Sequence, residues 1–292
     1  MQTKEKRRTL TLFNPAAGAG RGPKDAANYC TKYKGDGRRY VKEECIADPK
    51  THFVVCGGDG TVNEAVCGIM DAGAGQSASL TIYPCGSGND TVKSFPKDLK
   101  GQTVKLDVIK LNDRYGINML NIGFDCNVVT SASFFKEKLK LGGKISYIMG
   151  VLREFFKPFG QEFQIDAVLE DGSNFSYHGT TLLCAVCNGQ WCGGSFHNSP
   201  HSDMQDGILE LVLVKKISRF GFLKLVGKYQ DGSLFTKDGN VTLKEFSGVA
   251  SVQRVRSVRV TGMTQVCTDG EVEEMTVADV SVLPSAICYT YG

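Results

Sequence analysis

Three glycine-rich segments, each directly after a short apolar run, constrain the fold of this chain more than any other feature. They read NPAAGAGRG at residues 14–22, GGDGTVNE at residues 57–64 and PCGSGND at residues 84–90. An apolar run, a glycine turn and a helical pattern in repeated succession are typical of a parallel sheet covered by helices. Because such sheets bind ligands at the carboxyl ends of their strands, the turns predict a doubly wound α/β domain with a ligand site at one edge.

The same alternation assigns the elements. Strands are predicted over RTLTLFNP, HFVVCGG and SLTIYP, and helices over residues 24–34 and 63–72, with a short helix after GND. From about Gly116 the pattern changes to long segments of alternating hydrophobicity such as FQIDAVLEDGSNFSYHG, where the central Asp-Gly pair predicts a hairpin turn. The sequence therefore predicts two domains, residues 1–115 and a mainly β domain over residues 116–292.

One helix is predicted inside the β domain, over residues 143–156, and Pro158 ends it. Its apolar residues recur at helical spacing on one face: Ile145, Ile148, Met149, Leu152, Phe155 and Phe156. Such a stripe is expected to belong to the core. The lysines that precede it leave a second interpretation open, contact with a membrane surface.

The charge of the chain does not favour a nucleic-acid binder. The formal net charge is +3 and 22% of the residues are charged, whereas a nucleic-acid binder carries a larger, clustered excess of basic residues. The apolar run after the basic N-terminal stretch is too short for a signal-peptide core, and no run is long enough to cross a bilayer. A cytoplasmic protein without a transmembrane segment is therefore expected.

The eleven cysteines lie mostly in apolar runs, which indicates buried thiols in a reducing compartment rather than a disulfide framework. Cys184 and Cys187 form the single CxxC pair, but in a strand their odd spacing puts them on opposite faces, so a zinc or redox site is not expected. His197 and His201 flank a proline in a segment that favours a loop.

The glycine turns have the chemistry of a phosphate site. Glycine lets the backbone approach a ligand closely, and a helix that starts just after the turn adds its positive end. None of the turns matches GxxxxGK[ST] or GxGxxG, so neither a P-loop enzyme nor a Rossmann dehydrogenase is favoured. Asp59, Asp90 and Asp125 follow successive apolar runs. Carboxylates near phosphates need a divalent cation between them, which predicts a Mg-nucleotide site.

Several motifs together resemble the diacylglycerol kinase catalytic-domain family, which includes bacterial lipid kinases and sphingosine and ceramide kinases. They are NPAAGAGRG, GGDGTVNEAV, PCGSGND, NIGFD, CNGQWCGG, SPHSDMQDGILEL and TDGEVEE, in this order over nearly the whole chain. GGDGT alone is shared with NAD kinases and 6-phosphofructokinases, whereas the following NE and the late DGE make the match specific. The resemblance implies an ATP-binding α/β domain and a C-terminal β-sandwich domain with catalysis between them.

The resemblance also implies roles for individual residues. The nucleotide would be lined by Asn14, Gly57, Gly58, Gly60, Thr61, Asn63 and Ser87. The catalytic Mg would be held through water by Asp59, Asp90 and Asp125. A structural Mg would be held by Asp203, Asp206 and the backbone carbonyl of Ile208, where the Asp-Gly pair on its own is equally consistent with a turn.

The segment TDGEVEE on its own predicts a hairpin turn. With the resemblance, Asp269 becomes the general base, and Glu271 orients the base or touches the metal. The chain departs from the family where Ala17 and Ala19 replace a small hydroxyl residue and a lysine, which puts phosphate contacts there in doubt, with Arg21 as a substitute. Lys93 stands where the family commonly has an arginine.

The expected function is an ATP-dependent lipid kinase that acts at a membrane surface as a peripheral protein. Its leading acceptor is diacylglycerol, which would give phosphatidic acid. Alternatives are a kinase for a sphingoid base, another lipid alcohol or NAD, and, from a different class, a nucleotide-binding regulator without catalysis. ATP and Mg are the expected cofactors, a homodimer is left open, and no nucleic-acid partner is expected.

Overall fold

A computed structural model of the chain describes residues 7–20, 25, 27–95, 99–139 and 143–292. Its first region contains the strands β1 (Thr9–Phe13), β2 (Tyr29–Cys30), β3 (His52–Gly57) and β4 (Ser79–Pro84) and the helices α1 (Asp36–Ala47), α2 (Asp59–Asp71) and α3 (Asp90–Lys93). The four strands are parallel, in the order β2-β1-β3-β4. The predicted α/β domain is therefore confirmed.

Apolar burial explains why these segments pack as they do. Strands β1 and β3 are buried through Leu12, Phe53 and Val55, as expected for a parallel sheet. Helix α2 presents Val62 and Ile69 to the same core. Because the strand residue Gly57 precedes this helix by two positions, the chain passes from the sheet core into the helix with almost no loop.

The prediction of a helix over residues 24–34 is wrong for residues 27–34, and its residues 24 and 26 lie outside the described part of the chain. The helix of this region lies further along the chain. Tyr29–Cys30 pairs with β1, and α1 begins after Gly35, whose φ is +86°. The Glu64 carboxylate accepts hydrogen bonds from the N–H groups of Gly35, at 2.7 Å, and Gly37, at 2.9 Å, at the start of α1. Half of the α1 residues are charged, so the apolar periodicity of this segment is too weak to predict the helix.

The second region is a β-sandwich. Its strands are β5 (Thr103–Leu111), β6 (Arg114–Gly116), β7 (Met119–Gly123), β8 (Gln161–Leu169), β9 (Asn174–Cys187), β10 (Leu209–Lys215), β11 (Ala250–Thr261), β12 (Gln265–Thr268), β13 (Glu271–Glu274) and β14 (Val277–Thr290). The long strands β9 and β11 each pair with β8 along one part and with β10 along another, so they pass from one sheet to the other. The enclosed core, with Ile109, Phe163 and Leu211, confirms the predicted β-sandwich.

Three helices cover the outer face of the β7-β9-β10 sheet: α4 (Phe124–Leu139), α5 (Gly143–Phe156) and α6 (Arg219–Asp231). Helix α5 has the predicted bounds, whereas α4 and α6 were not predicted. Cys184 faces the sandwich core and Cys187 faces the helices, which confirms the two faces expected for this pair. All eleven cysteines are free thiols.

The expectation that the apolar stripe of α5 belongs to the core is wrong. The helix buries a side that holds Tyr147, Val151 and one stripe residue, Phe155, which pack toward the sheet, and Glu154 there accepts a hydrogen bond from Ser131 of α4. The remaining stripe residues are exposed: Ile145, Ile148, Met149, Leu152 and Phe156. In the described part of the chain, every helix is too short or too polar to pass through a lipid bilayer.

Strand β14 belongs to both regions. Val280 packs in the sandwich core, whereas Ile287 and Tyr289 pack in the core of the parallel sheet. Near its end β14 pairs in parallel with β4, where Cys288 lies opposite Ser79. The predicted domain boundary at residue 115 stays a prediction. Strand β14, from the C-terminal part of the chain, packs in the cores of both regions.

Candidate active site

The three glycine turns meet at the carboxyl edge of the parallel sheet. A Cβ atom built on Gly86 would lie 2.4 Å from the Cα atom of Gly58, so the second and third turns touch backbone to backbone. A Cβ atom on Gly18, whose φ is +54°, would lie 1.8 Å from the carbonyl oxygen of Cys85. Because no side chain fits at these contacts, glycine is required for the three turns to form one surface.

The N-terminus of α2 opens onto this surface. Its N-cap is Gly58, and none of the side chains that the structure describes caps the helix. The first N–H groups of a helix have no partners within it and carry the positive end of its dipole. A Cβ atom on Gly57 would lie 2.4 Å from the side chain of Thr61, which shows how tightly the strand enters the helix. This end of α2 has the geometry of an anion site.

Asp59 and Asp90 lie side by side at the edge of this surface. A Cβ atom on Gly88 would lie 3.0 Å from Oδ2 of Asp59 and 3.1 Å from Oδ2 of Asp90, so both carboxylates border the same point. Oδ1 of Asp59 accepts hydrogen bonds from the backbone N–H and the hydroxyl of Thr91, at 3.0 and 3.1 Å. These bonds fix the orientation of Asp59 and leave its Oδ2 directed at Gly88.

Asp90 also connects the first region to the second. Its Oδ1 accepts a hydrogen bond from Nζ of Lys93 at 2.9 Å, and its Oδ2 accepts one from the N–H of Gly194 at 2.9 Å. Burial raises the pKa of the Asp90 carboxyl and the charge of Asp59 adds to this, whereas the two hydrogen bonds oppose it. The ammonium group of Lys93 is thus occupied by Asp90 and by the carbonyl of Gly194, at 2.6 Å.

Asp125, at the start of α4, contacts a different partner. Its Oδ2 accepts a hydrogen bond from the hydroxyl of Tyr229 at 2.9 Å. Burial raises the pKa of Asp125 to about 6. Burial also raises the pKa of the Tyr147 hydroxyl, and the charges of Asp125 and Asp90 add to that effect. The structure therefore pairs Asp59 with Asp90 and gives Asp125 a separate partner, Tyr229.

Asp269 lies in the hairpin turn between β12 and β13, as the sequence predicted for TDGE on its own. Its φ is +50° and that of Gly270 is +90°, as in a type I′ turn. The side chain is 5% exposed. Oδ1 accepts from the N–H groups of Asn118 and Met119, both at 2.9 Å, and Oδ2 from the N–H of Ile117 and from Nδ2 of Asn63, both at 2.8 Å.

The general-base role of Asp269 stays a prediction, and the hydrogen bonds of its carboxylate support a second interpretation. A carboxylate has about four acceptor sites, and all four of Asp269 are used. A general base needs an acceptor site within hydrogen-bond reach of the substrate hydroxyl. The geometry instead fits a residue that ties the hairpin to the backbone of residues 117–119 and to α2.

Asn63 lies at the junction of the two regions, and its place in the nucleotide lining stays a prediction. Its Nδ2 donates to Asp269 and, at 3.1 Å, to the carbonyl of Tyr115, so its amide hydrogens are used at the junction of the two regions. Asn14 and Thr61 contact each other, because Nδ2 of Asn14 donates to the Thr61 hydroxyl at 2.9 Å. Ser87 is exposed on the third turn. The expected phosphate contact of Arg21 lies outside the described residues.

Glu271 reaches the N-terminus of α2 from the second region. A Cβ atom on Gly60 would lie 3.1 Å from its Oε1, and its Oε2 forms an ion pair with the exposed Lys34. Glu271 and Asp59 are therefore the two predicted catalytic acids that border the open end of the helix. Neither Lys34 nor Gly194 lies in a motif that predicts it as a neighbour of this site.

The two carboxylates predicted to hold a structural Mg, those of Asp203 and Asp206, contact protein groups. Oδ2 of Asp206 pairs with Arg254 at 2.9 Å, and its Oδ1 accepts from the N–H of Ile208 at 3.0 Å, while Asp203 accepts from the N–H of Gln205 at 3.0 Å. Arg254 supplies the positive charge that the prediction assigned to Mg. Within the residues that the structure describes, no three or more His, Cys, Asp or Glu side chains form a group able to hold a metal ion. The second Mg stays a prediction.

Two family models match successive parts of the chain. The family model "Diacylglycerol kinase catalytic domain" matches residues 8–118, and the model "YegS C-terminal NAD kinase beta sandwich-like domain" matches residues 118–290. The crystal structure of a diacylglycerol kinase from Bacillus anthracis str. Sterne has a TM-score of 0.70 at 23% identity, and covers 99% of each chain. At this identity the likeness shows the fold.

Two curated relatives are similar in sequence, and each is named "Probable lipid kinase YegS-like". The protein of Enterobacter sp. (strain 638) is 32% identical over 190 residues, and that of Serratia proteamaculans (strain 568) is 33% identical over 194 residues. These matches cover 61% and 62% of this chain and 60% of each relative, so they span less than two thirds of the relatives' length. Because the two family models together match nearly all of the chain, it belongs to the family that joins a diacylglycerol kinase catalytic domain to a YegS-type β-sandwich domain.

Proposed function

We propose that this protein is an ATP-dependent lipid kinase. The observation that carries the proposal is the surface of three interlocked glycine turns, with the uncapped start of α2 at its centre and two carboxylates at its edge. Backbone N–H groups and a helix N-terminus suit the phosphates of ATP. The relatives named as lipid kinases, and the family to which the chain belongs, support a lipid hydroxyl as the acceptor.

The carboxylate pair fits a divalent cation. Asp59 and Asp90 border one point, and the charge of Asp59 raises the pKa of Asp90, so a cation between them would relieve their repulsion. Mg is commonly held by one or two carboxylates together with substrate phosphates and water. When bound, it would neutralise charge on the phosphates. We propose Asp59 and Asp90 as its protein ligands, with Asp125 acting through water.

The reaction requires a proton acceptor beside the lipid hydroxyl. The hydroxyl oxygen forms a bond to the γ-phosphorus, the bond from that phosphorus to the β-phosphate oxygen breaks, and the hydroxyl proton passes to a carboxylate as ADP leaves. We propose that Asp59 or Glu271 takes this proton, because both border the start of α2 while the acceptor sites of Asp269 are filled. Asp269 and Asn63 would hold the two regions in register.

Diacylglycerol is the proposed acceptor and phosphatidic acid the product, with the protein acting from the membrane surface. Incubation with radiolabelled ATP, Mg and either mixed lipids or NAD, followed by thin-layer separation, tests this. Label in phosphatidic acid is expected. Label confined to a phosphorylated sphingoid base or to NADP would identify one of the alternative kinases, and no label in any product would favour a regulator without catalysis.

The same assay separates the candidate bases. Asp59→Asn and Glu271→Gln each remove a carboxylate without changing its shape, and loss of one general base typically costs about 10²–10⁴-fold in rate. A variant that loses kcat while its ATP affinity and its Mg requirement stay those of the unmodified protein identifies the proton acceptor. If both retained the rate of the unmodified protein, the proposed mechanism would be refuted.

A further inference from the structure

Helix α5 carries a row of exposed apolar side chains that the fold does not cover. Ile148 is 59% exposed and Phe156 is 74% exposed, and Ile145, Met149 and Leu152 are exposed on the same side. Single exposed apolar residues are common, but contiguous apolar patches usually mark an interaction site. The row therefore indicates a surface that binds another molecule or a membrane.

The row continues onto the neighbouring helices. Arg219, at the start of α6, donates hydrogen bonds to the carbonyls of Phe155 and Phe156 at the end of α5, which brings the exposed Phe220 and Leu223 alongside. On α4 the exposed side chains of Phe134 and Leu139 extend the surface. We refer to these residues together as the apolar helix face: Phe134, Leu139, Ile145, Ile148, Met149, Leu152, Phe156, Phe220 and Leu223.

The orientation of α5 is fixed by groups on its buried side. A Cβ atom on Gly150 would lie 2.8 Å from the carbonyl oxygen of Val128, so α4 and α5 approach each other closely there. Four residues on, the buried Glu154 accepts hydrogen bonds from the Ser131 hydroxyl and, at 2.6 Å, from Nζ of Lys157. Rotation of α5 to bury its apolar row would break these contacts, so the exposed face is a stable feature of the fold.

Basic side chains border the apolar helix face. Lys136 and Lys138 are exposed on the last turns of α4. The guanidinium of Arg153 lies over the ring of Phe134, 5.1 Å from its centroid, and Nζ of Lys224 lies over the ring of Phe220, 5.2 Å from its centroid. Basic groups thus stand directly beside apolar side chains, the arrangement of helices that lie in the plane of a bilayer interface.

We propose that the apolar helix face docks onto an anionic lipid bilayer, with Ile148 and Phe156 inserted among the acyl chains and the flanking basic groups at the headgroups. A bilayer supplies apolar depth and a negative surface together. A second copy fits less well, because a twofold interface would bring the same basic border against itself. The inference rests on the proposed function, since it assigns the face through which the enzyme reaches its lipid acceptor.

Vesicle flotation without ATP tests the docking surface. The probes are vesicles of phosphatidylcholine and vesicles that also contain phosphatidylglycerol. We expect stronger binding to the anionic vesicles and a loss of roughly tenfold or more in the double variant Ile148→Asn with Phe156→Asn, because each substitution removes apolar area from the bilayer. The matched control is Ile46→Asn, which changes an isoleucine that is 67% exposed on α1, and it should bind as the unmodified protein does.

Two results would overturn the proposal. One is equal vesicle binding by the double variant, its control and the unmodified protein. The other is a dimer in analytical ultracentrifugation that the double variant dissociates, which would assign the face to a second copy. An unchanged melting temperature of the double variant shows that its fold is intact.

Failure of the docking surface and failure of the lipid kinase function give different results. With a short-chain diacylglycerol dispersed below its micelle concentration, the double variant should keep the rate of the unmodified protein, because no bilayer is needed. If the unmodified protein phosphorylates no lipid in either form, the kinase proposal fails, whereas the vesicle-binding comparison still decides the docking surface.

Discussion

Replacement of Asp269 by asparagine distinguishes a residue that holds the structure from one that only accepts a proton. The carboxylate accepts four hydrogen bonds in an environment where the side chain is 5% exposed. An asparagine has one acceptor oxygen, so its NH₂ group must face two of the four donors. The positive φ of residue 269 should add little to the cost of this substitution, because asparagine adopts positive φ more readily than most residues.

The magnitude follows from the donors left without a partner. Each buried unsatisfied donor costs about 1–3 kcal/mol, so two of them should lower the free energy of unfolding by about 2–6 kcal/mol. That is a large share of the roughly 5–15 kcal/mol that typically stabilises a folded protein. Asp171→Asn is the matched control, because Asp171 begins an Asp-Gly hairpin turn that is exposed.

Urea unfolding and kinase activity should be measured on both variants. We expect Asp269→Asn to lose stability and activity together and Asp171→Asn to change neither. If Asp269→Asn abolished kcat while its free energy of unfolding stayed within about 0.5 kcal/mol of the unmodified protein, the range typical of neutral surface substitutions, Asp269 would act as the base and our interpretation of its four hydrogen bonds would be refuted.

Three further predictions concern the turns and the acids. Gly86→Ala should raise the KM for ATP and destabilise the protein by about 1–3 kcal/mol, because its Cβ atom would lie 2.4 Å from Gly58; Gly227→Ala, in an exposed part of α6 with open space around it, is the control. Because burial raises the pKa of Asp125 to about 6, the folded state binds this proton more tightly than the unfolded state, so stability should fall as pH rises from about 4 to about 6, by up to about 3 kcal/mol. This component should be absent from Asp125→Asn in urea titrations with EDTA, and an unchanged pH profile would contradict it. Asp90→Asn should increase the Mg concentration needed for half-maximal ATP binding, measured by calorimetry, by roughly tenfold or more, and an unchanged requirement would exclude Asp90 as a ligand.

The parts of the fold that could be predicted are those where local chemistry dictates the structure. Gly58 and Gly86 predict turns because the two backbones approach too closely there for a side chain. The alternation of apolar and polar residues on both sides of Asp171 predicts a hairpin. The charged helix α1 escaped prediction because its start is capped by Glu64, which is distant in sequence.

The orientation of α5 and the role of Asp269 depend on contacts that periodicity does not encode. An apolar row marks one side of a helix, but the hydrogen bond from Ser131 to Glu154 decides which side is buried. Similarly, DGE can be recognised as a motif. The backbone N–H groups that donate to Asp269, however, lie 150 to 152 residues earlier in the sequence. Motif residues are visible in a sequence, whereas their hydrogen-bond partners are set by the fold.

Strand β14 has a consequence for synthesis on the ribosome. The parallel sheet that begins with Thr9–Phe13 stays incomplete until residues 277–290 have emerged and paired beside β4. At typical elongation rates the first region would wait roughly 10–35 s between its own synthesis and the arrival of that strand. During this interval the β4 edge and the core surface under Tyr289 are exposed to chaperones and to other nascent chains. The surface formed by the three glycine turns should therefore be completed only after residues 277–290 have been synthesised.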